Sequence, residues 1–218
     1  MTVERAQAEW RFWLLWMLAN IVGFGVAFGV LGLAGAMSDA VGNAVAVALA
    51  LAIFGWSSLG VAQWLVLRSH IPRAAWWVLA TIVGLGVGTG VGGVVGGAMS
   101  DALGDAVAAA VVFLMLVTPL GVAQWLVLRR HVSRAGWWVL ASIVSFGLAL
   151  GVAIAVASAG GFSVAVGPGE TAAEAFSRAA VRHSVMFGIV GGAVGGAVYG
   201  AITGRVLEWL LRQPVPEA

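Results

Sequence analysis

The fold is decided by the stretch Gly60-Val61-Ala62-Gln63-Trp64-Leu65-Val66-Leu67-Arg68. This stretch recurs without change as Gly121 to Arg129. The displacement is 61 residues (124 − 63), and Trp16, Trp77 and Trp138 repeat at the same interval. Repetition at a fixed period indicates that one supersecondary unit has been copied along the chain. The fold is therefore predicted to consist of similar units.

The third copy of this unit has diverged from the other two. It keeps Trp137 to Ala141, while its counterpart of the glutamine-containing block is Gly200 to Arg205. We place the three repeats at about residues 10–73, 74–134 and 135–212 of a single membrane domain that covers 1–218. The third repeat carries an outer-loop insertion at about residues 159–182.

Each repeat contains two long apolar runs. The six runs are Phe12–Met37, Ala40–Leu67, Trp76–Met99, Ala102–Leu128, Trp137–Ser158 and Ser184–Leu211. All exceed the roughly 20 residues that a helix needs to cross about 30 Å of hydrocarbon. Only 9% of the residues are charged, against about 25% in an ordinary soluble domain. The prediction is an all-α polytopic membrane bundle of six transmembrane helices, arranged as three parallel two-helix repeats.

Three parallel hairpins favour a pseudo-threefold bundle, although a row of hairpins without closure also fits the sequence. The arginines set the orientation, because basic residues accumulate on the cytoplasmic side of membrane proteins. Nine of the eleven basic residues fall at one end: Arg5, Arg11, Arg68, Arg73, Arg129, Arg130, Arg134, Arg205 and Arg212. We expect both termini to be cytoplasmic and the protein to lie in the inner (plasma) membrane. The arginines form no basic domain, which argues against nucleic-acid binding.

Ten of the eleven tryptophans also fall near the arginine-rich end, and only Trp56 lies mid-span. Indole rings favour the headgroup level of a membrane, so we expect a one-sided belt of tryptophans there. Trp64 and Trp125 each precede an arginine by four residues. At that spacing on a helix, the guanidinium is expected to cover the ring.

At the opposite end, the first two repeats are expected to turn tightly. Met37 to Asp39 and Met99 to Asp101 fit short hairpins, with Ser38 and Ser100 capping the following helices. The third repeat departs from this pattern. Its insertion is expected to form a short amphipathic helix outside the membrane, serving either as a docking surface or as a plain connection. The residues that carry this prediction recur every four positions and are Glu170, Glu174, Arg178 and Arg182.

Glycine recurs every four residues on two of the apolar runs. The stripes are Gly84, Gly88, Gly92 and Gly96 in the third run, and Gly192, Gly196, Gly200 and Gly204 in the sixth. Small residues on one helix face let two backbones approach closely in lipid. We expect the stripes to face other helices, either in this chain or in the chains of a homo- or hetero-oligomer.

The repeat also aligns six polar residues at one depth of the predicted bundle. They are Asn20, Thr81 and Ser142 on the first helices of the repeats, and Gln63, Gln124 and Thr203 on the second helices. We call this set the polar ring. It fits interhelical hydrogen bonding, and it also fits a site for a polar headgroup, a water-filled vestibule or a ligand to a pigment metal.

The Gln-Trp-Leu-Val-Leu-Arg and Trp-Trp-Val-Leu-Ala blocks resemble those of a group of uncharacterised bacterial repeat membrane proteins. The likeness covers the first two repeats well and the third in part. It implies a bacterial inner-membrane location and carries no activity, cofactor or site residue.

No residue set in the sequence indicates a catalytic centre, a metal site or a cofactor site. The leading hypothesis is a non-enzymatic membrane subunit that packs with partner chains or binds lipid-like or pigment-like molecules. Two alternatives stay open. One is a passive channel or carrier for small or apolar molecules, and the other is a membrane enzyme that acts at the arginine- and histidine-rich cytoplasmic face.

Overall fold

The computed structural model describes residues 3–41, 44–103, 105–159 and 172–213. These residues form six helices and no strand. The helices are α1 (Val3–Val41), α2 (Ala44–Leu67), α3 (Ala75–Leu103), α4 (Asp105–Leu128), α5 (Trp137–Ala159) and α6 (Ala172–Leu211). The predicted all-α class is therefore confirmed for the described residues.

Within the part of the chain that the structure describes, four helices contain a stretch that is long and apolar enough to cross a membrane. The stretches are Glu9–Val30, Ala75–Gly92, Val111–Leu128 and Gly188–Leu211. Two further apolar stretches in α2 and α5, Ile53–Leu67 and Trp137–Ala153, are shorter. A backbone in hydrocarbon has to satisfy its hydrogen bonds internally, which a continuous helix does. The helices thus indicate a membrane-embedded protein.

Two helices extend further along the chain than the sequence suggested. Ser38 lies inside α1, which continues to Val41, and Ser100 lies inside α3, which continues to Leu103. Neither serine therefore caps the following helix, and that prediction is wrong. The physical reason lies in the next residues: Gly42 and Gly104 directly follow the two helices, and glycine is the residue that most often ends a helix.

The six helices form a closed ring in which each helix contacts its neighbours in the sequence. The ring closes because α6 also packs against α1, and this is the most extensive helix–helix contact of the described residues. Among the described residues the backbones of other helix pairs do not approach each other closely, and these helices meet through side chains alone. The centre of the ring is consequently filled by side chains rather than by a helix.

The side chains are distributed in the opposite sense to those of a water-soluble protein. Large apolar residues such as Leu18, Val22, Val87 and Leu148 are exposed on the outer surface of the ring. The polar ring, in contrast, is completely buried. Soluble monomers rarely expose extended apolar surfaces, so this distribution fits a hydrocarbon surrounding.

The glycine stripes lie where helices approach most closely within the chain. A Cβ atom placed on Gly84 would lie 2.6 Å from the Cα of Leu120 on α4, and Gly88 is equally close to the next turn of that helix. Three glycines of the α6 stripe face the backbone of α1 in the same way, and the fourth faces an indole ring of α1. The backbone contacts are Gly192 with Phe24, Gly196 with Asn20 and Gly200 with Met17, and Gly204 meets the ring of Trp16. Gly92 lies at a looser contact with α4, whereas the surroundings of Gly96 lie outside what the structure describes. The described glycines of both stripes thus contact helices of this chain.

Candidate functional site

Three tryptophans meet at the centre of the ring, near its arginine-bearing end. Trp16, Trp77 and Trp138 are fully buried, and their ring centroids lie 6.1, 6.1 and 5.5 Å apart in edge-to-face pairs. We call them the tryptophan triad. The predicted headgroup belt is wrong for these three residues, although Trp76 and Trp137 beside them are exposed on the outer surface. Adjacent indoles in the sequence therefore face opposite ways, one inward and one outward.

Each indole of the triad donates its N–H group to a side chain on a neighbouring helix: α1 donates to α6, α3 to α2 and α5 to α4. The bonds run from Trp16 Nε1 to Thr203 Oγ1 (3.0 Å), from Trp77 Nε1 to Gln63 Oε1 (2.8 Å) and from Trp138 Nε1 to Gln124 Oε1 (3.0 Å). All three acceptors belong to the polar ring. The same bond thus recurs at three places around the ring, and it fixes the rotation of each helix against its neighbour.

The two glutamines extend this network to the other half of the polar ring. Gln63 Nε2 donates to Asn20 Oδ1 at 2.8 Å, and Gln124 Nε2 donates to Thr81 Oγ1 at 3.1 Å. The two amides also approach each other, at 3.4 Å. A glutamine on one helix thereby holds three helices together in both places. The structure joins four members of the polar ring, Asn20, Gln63, Thr81 and Gln124, by hydrogen bonds. Thr203 bonds to Trp16 instead, and Ser142 has no partner among the described residues.

The network is incomplete where α5 and α6 meet. Thr203 accepts the proton of Trp16 and donates its own to the carbonyl oxygen of Tyr199 at 2.6 Å. The hydroxyl groups of Ser142, Ser145 and Tyr199 are buried without a hydrogen-bond partner among the described residues. Those of Ser142 and Tyr199 lie near each other without the geometry of a hydrogen bond. We call these three residues the hydroxyl cluster.

A cavity of about 120 Å³ lies further from the arginine-bearing end, between α1, α5 and α6. Three phenylalanines line it, Phe24, Phe28 and Phe146, together with apolar side chains of α5 and four glycines of α6. One of the lining residues, Leu150, is exposed on the outer surface of the ring. The cavity is therefore apolar and lies at the edge of the bundle rather than on its axis.

The cavity lies at the hairpin whose helices pack least closely. In the other two hairpins, Gly23 and Gly84 lie so close to the facing helix that an added Cβ would be 2.8 and 2.6 Å from the Cα of a leucine. Ser145 stands 61 residues after Gly84, and α5 and α6 make a less extensive contact than the helices of the other hairpins. We attribute the less extensive contact to this serine, whose side chain separates the two helices where the other hairpins have a glycine. That separation accounts for a cavity in this hairpin.

The arginine-bearing end is held by charged contacts. The guanidinium of Arg68 lies 5.8 Å from the Trp64 ring and that of Arg129 lies 4.8 Å from the Trp125 ring. The predicted cation–π pairs are thus confirmed. A third pair, between Arg205 and Trp13 at 4.8 Å, joins α6 to α1 and was not predicted, because its two residues are far apart in the sequence.

Sequence reasoning also missed an ion-pair network that joins the two ends of the chain. Glu208, which is only 8% exposed, binds Arg205 at 3.2 Å and also pairs with Arg212. Arg212 in turn bridges to Glu9 on α1 at 2.9 Å. Loops connect the other repeats at this end, whereas these ion pairs join the third repeat to the first. A signal was present in the alignment, where Glu208 takes the position of the repeated Arg68 and Arg129.

The structure describes only the backbone of part of the remaining predicted site. Glu170 is outside the described residues, and the backbone of Glu174, Arg178 and Arg182 forms the first turns of α6, which continues unbroken to Leu211. Their side-chain surroundings are not described, so an amphipathic docking helix stays a prediction. Among the described residues, no three His, Asp or Glu side chains come close enough together to hold a metal ion.

The chain was also compared with known proteins. No protein-family model, no curated protein and no solved structure matches it. A functional proposal therefore has to stand on the geometry of the bundle itself.

Proposed function

We propose that the chain crosses the membrane six times as three parallel hairpins around a pseudo-threefold axis, with the arginine-bearing end in the cytoplasm. The threefold recurrence of the tryptophan bonds supports this arrangement. So does a glycine that begins each repeated block: Gly60, Gly121 and Gly200 pack against Thr81, Ser142 and Asn20, respectively. The orientation rests on the arginine count, since basic residues favour the cytoplasmic side.

Within this architecture we propose a non-enzymatic protein that holds one acyl chain of a membrane lipid in the cavity between α1, α5 and α6. The cavity is the observation that carries the proposal. Its lining is apolar, it reaches the outer surface at Leu150, and its volume of about 120 Å³ approaches that of cavities that bind benzene-sized molecules. An empty cavity of this size forfeits dispersion contacts.

The cost of leaving the cavity empty can be put at about 24 cal/mol per Å³. For about 120 Å³, the cost is roughly 3 kcal/mol. An acyl chain gains little from leaving its lipid surroundings, because both environments are apolar. The gain comes from restoring contacts to Phe24, Phe146 and the glycine face of α6. A chain of matching width therefore binds without any polar anchor in the cavity.

The channel alternative has less support. A pore along the axis needs a continuous lumen, and the indole rings of the tryptophan triad occupy the axis at the arginine-bearing end. The described residues offer no observation that favours the enzyme alternative over lipid binding. An oligomer would use surfaces other than the described glycine stripes, because these pack within the chain.

The test is to fill the cavity with a side chain. Gly191 lines the cavity and an added Cβ there meets nothing within 4 Å, so Gly191→Leu places a side chain in the cavity without a backbone clash. Gly90 on α3 is equally unobstructed but exposed, which makes Gly90→Leu the matched control. Native mass spectrometry of gently purified protein would count the retained lipids.

We expect the wild type and Gly90→Leu to retain lipid to the same extent and Gly191→Leu to lose at least one bound molecule per chain. Equal retention by all three proteins would contradict the proposal, as would wild-type protein that carries no lipid. Circular dichroism of each variant separates the loss of the ligand from the loss of the fold.

A further inference from the structure

The polar ring has three sectors, each formed by one acceptor of a triad indole and the polar residue on the first helix of the same repeat. The acceptor is a glutamine in two sectors and a threonine in the third, and the two residue types offer different hydrogen bonds. In two sectors the amide oxygen accepts an indole N–H group, while the amide nitrogen donates to the neighbouring polar residue. Gln63 bonds to Trp77 and Asn20 in this way, and Gln124 bonds to Trp138 and Thr81. One side chain therefore satisfies two buried groups that would otherwise be costly to bury.

In the third sector Thr203 stands where the others have glutamine. A hydroxyl group has a single proton, and that of Thr203 is donated to the carbonyl oxygen of Tyr199. No proton remains for Ser142, which stands 61 residues after Thr81. Thr203 is also shorter than glutamine and has no amide group that could reach Ser142.

The hydroxyl cluster, which includes Ser142, is closed to solvent. Ser142 and Ser145 have no exposed surface and Tyr199 is 1% exposed. Thr81 and Thr89 bond back to the carbonyl oxygen one turn earlier, as helix hydroxyls commonly do. The two serines make no such bond, because their oxygens are without any partner in the described residues. The hydroxyl groups of Ser142 and Tyr199 lie near each other, and Ser145 follows Ser142 by one turn on the same side of α5.

We infer that a buried water molecule binds in the hydroxyl cluster and takes the part that the glutamine amide has in the other two sectors. Water both donates and accepts, and a buried water typically makes about three hydrogen bonds to groups that lack other partners. Three hydroxyl groups match this requirement. Unsatisfied buried polar groups are rare in native proteins, so three of them together indicate a bound molecule. The inference is independent of the acyl chain proposed for the cavity.

The chain provides a selective probe, because Tyr199 is its only tyrosine. Protein labelled with ¹³C in the tyrosine ring gives one aromatic tyrosine signal, and water-edited solid-state NMR measures polarisation that passes from water to that ring. We expect rapid transfer to Tyr199 despite its burial. Transfer as slow as to the carbons of the lipid-facing helix surface would overturn the inference.

Two variants sharpen this test. Thr203→Gln restores the amide of the other sectors, so we expect it to displace the water and abolish the rapid transfer; undiminished transfer would count against the site. Tyr199→Phe removes one partner of the water, and we expect its Tm to fall by about 2–6 °C. An unchanged or higher Tm would show an unbonded hydroxyl, since deleting such a group is neutral or stabilising.

Discussion

Replacing Gln63 with leucine tests how much the polar network contributes to the bundle. Leucine is apolar and one bond shorter than glutamine, so Gln63→Leu removes the bonds to Trp77 Nε1 and Asn20 Oδ1, both 2.8 Å long. Both partners are fully buried. They lose a hydrogen bond, and water from either side of the membrane does not replace it.

The magnitude follows from two lost bonds and two orphaned groups. A buried group without its partner costs about 1–3 kcal/mol in soluble proteins. Interhelical hydrogen bonds in membrane proteins average about 0.6 kcal/mol and reach about 1.7, because the helices find other partners when separated in lipid. The values for membrane proteins apply here. For two bonds we therefore expect a loss of about 1–3 kcal/mol in the free energy of unfolding.

The assay is reversible unfolding in mixed micelles, followed by circular dichroism. Thr89→Val is the matched control, because the Thr89 hydroxyl bonds only to the carbonyl oxygen of Leu85 in its own helix and its loss leaves no second side chain unpaired. A double-mutant cycle with Trp77→Phe isolates the indole bond, for which we expect a coupling of about 0.6–1.7 kcal/mol. The reasoning is refuted if Gln63→Leu is no less stable than Thr89→Val.

Three further predictions concern packing and charge. Gly84→Ala is expected to lower the Tm because its Cβ meets the backbone of α4 at 2.6 Å. The Cβ of Gly86→Ala meets nothing within 4 Å, so this variant should gain about 0.4–1 kcal/mol in the free energy of unfolding. Thermal unfolding would contradict this if the two changes in Tm had the same sign. Glu208→Gln should cost about 1 kcal/mol, and an effect that does not shrink in high salt would argue against the ion pairs. Burial, and secondly the charge of Arg130, lowers the pKa of His131 below 6.5. The unfolded chain therefore binds this proton more tightly, and the free energy of unfolding should fall as the pH drops through 6.5. His131→Gln should flatten that part of the plot of stability against pH, and an unaltered plot would exclude this residue as the cause.

Much of the bundle interior could be predicted because the chain repeats itself. A displacement of 61 residues puts Gln63 and Gln124 at the same depth and on the same face of their helices, so a role found for one is expected for the other. The four-residue spacing of glycines likewise defines one helix face. Such predictions need only the period of the helix and the period of the repeat.

Other features depend on which way a residue faces, and the sequence does not fix this in a membrane. Lipid and the bundle interior are both apolar, so Trp76 and Trp77 give the same hydropathy signal although one is exposed and the other buried. The role of Glu208 depends on the contact between α1 and α6, and that of Tyr199 depends on its approach to Ser142 on α5. These contacts arise only when the ring closes.

The hairpin ends could not be predicted for a different reason. Ser38 and Ser100 are good capping residues, and the sequence offers both a serine stop and a glycine stop within a few positions. Helix propagation gains a hydrogen bond per residue, so α1 and α3 extend past the serines to Val41 and Leu103, directly before a glycine. Local propensity alone does not rank two such stops.

The central claim is that each of the six helices crosses the membrane and that all arginine-bearing ends lie on one side. The natural chain has no cysteine, so single cysteines report their side by reaction with a membrane-impermeant maleimide. Asn43→Cys and Ser69→Cys flank α2, whose described apolar stretch is short, and Gly136→Cys precedes α5. The account predicts that Ser69→Cys and Gly136→Cys react only from the cytoplasmic side and Asn43→Cys only from the opposite side. Labelling of Asn43→Cys and Ser69→Cys from the same side would contradict it.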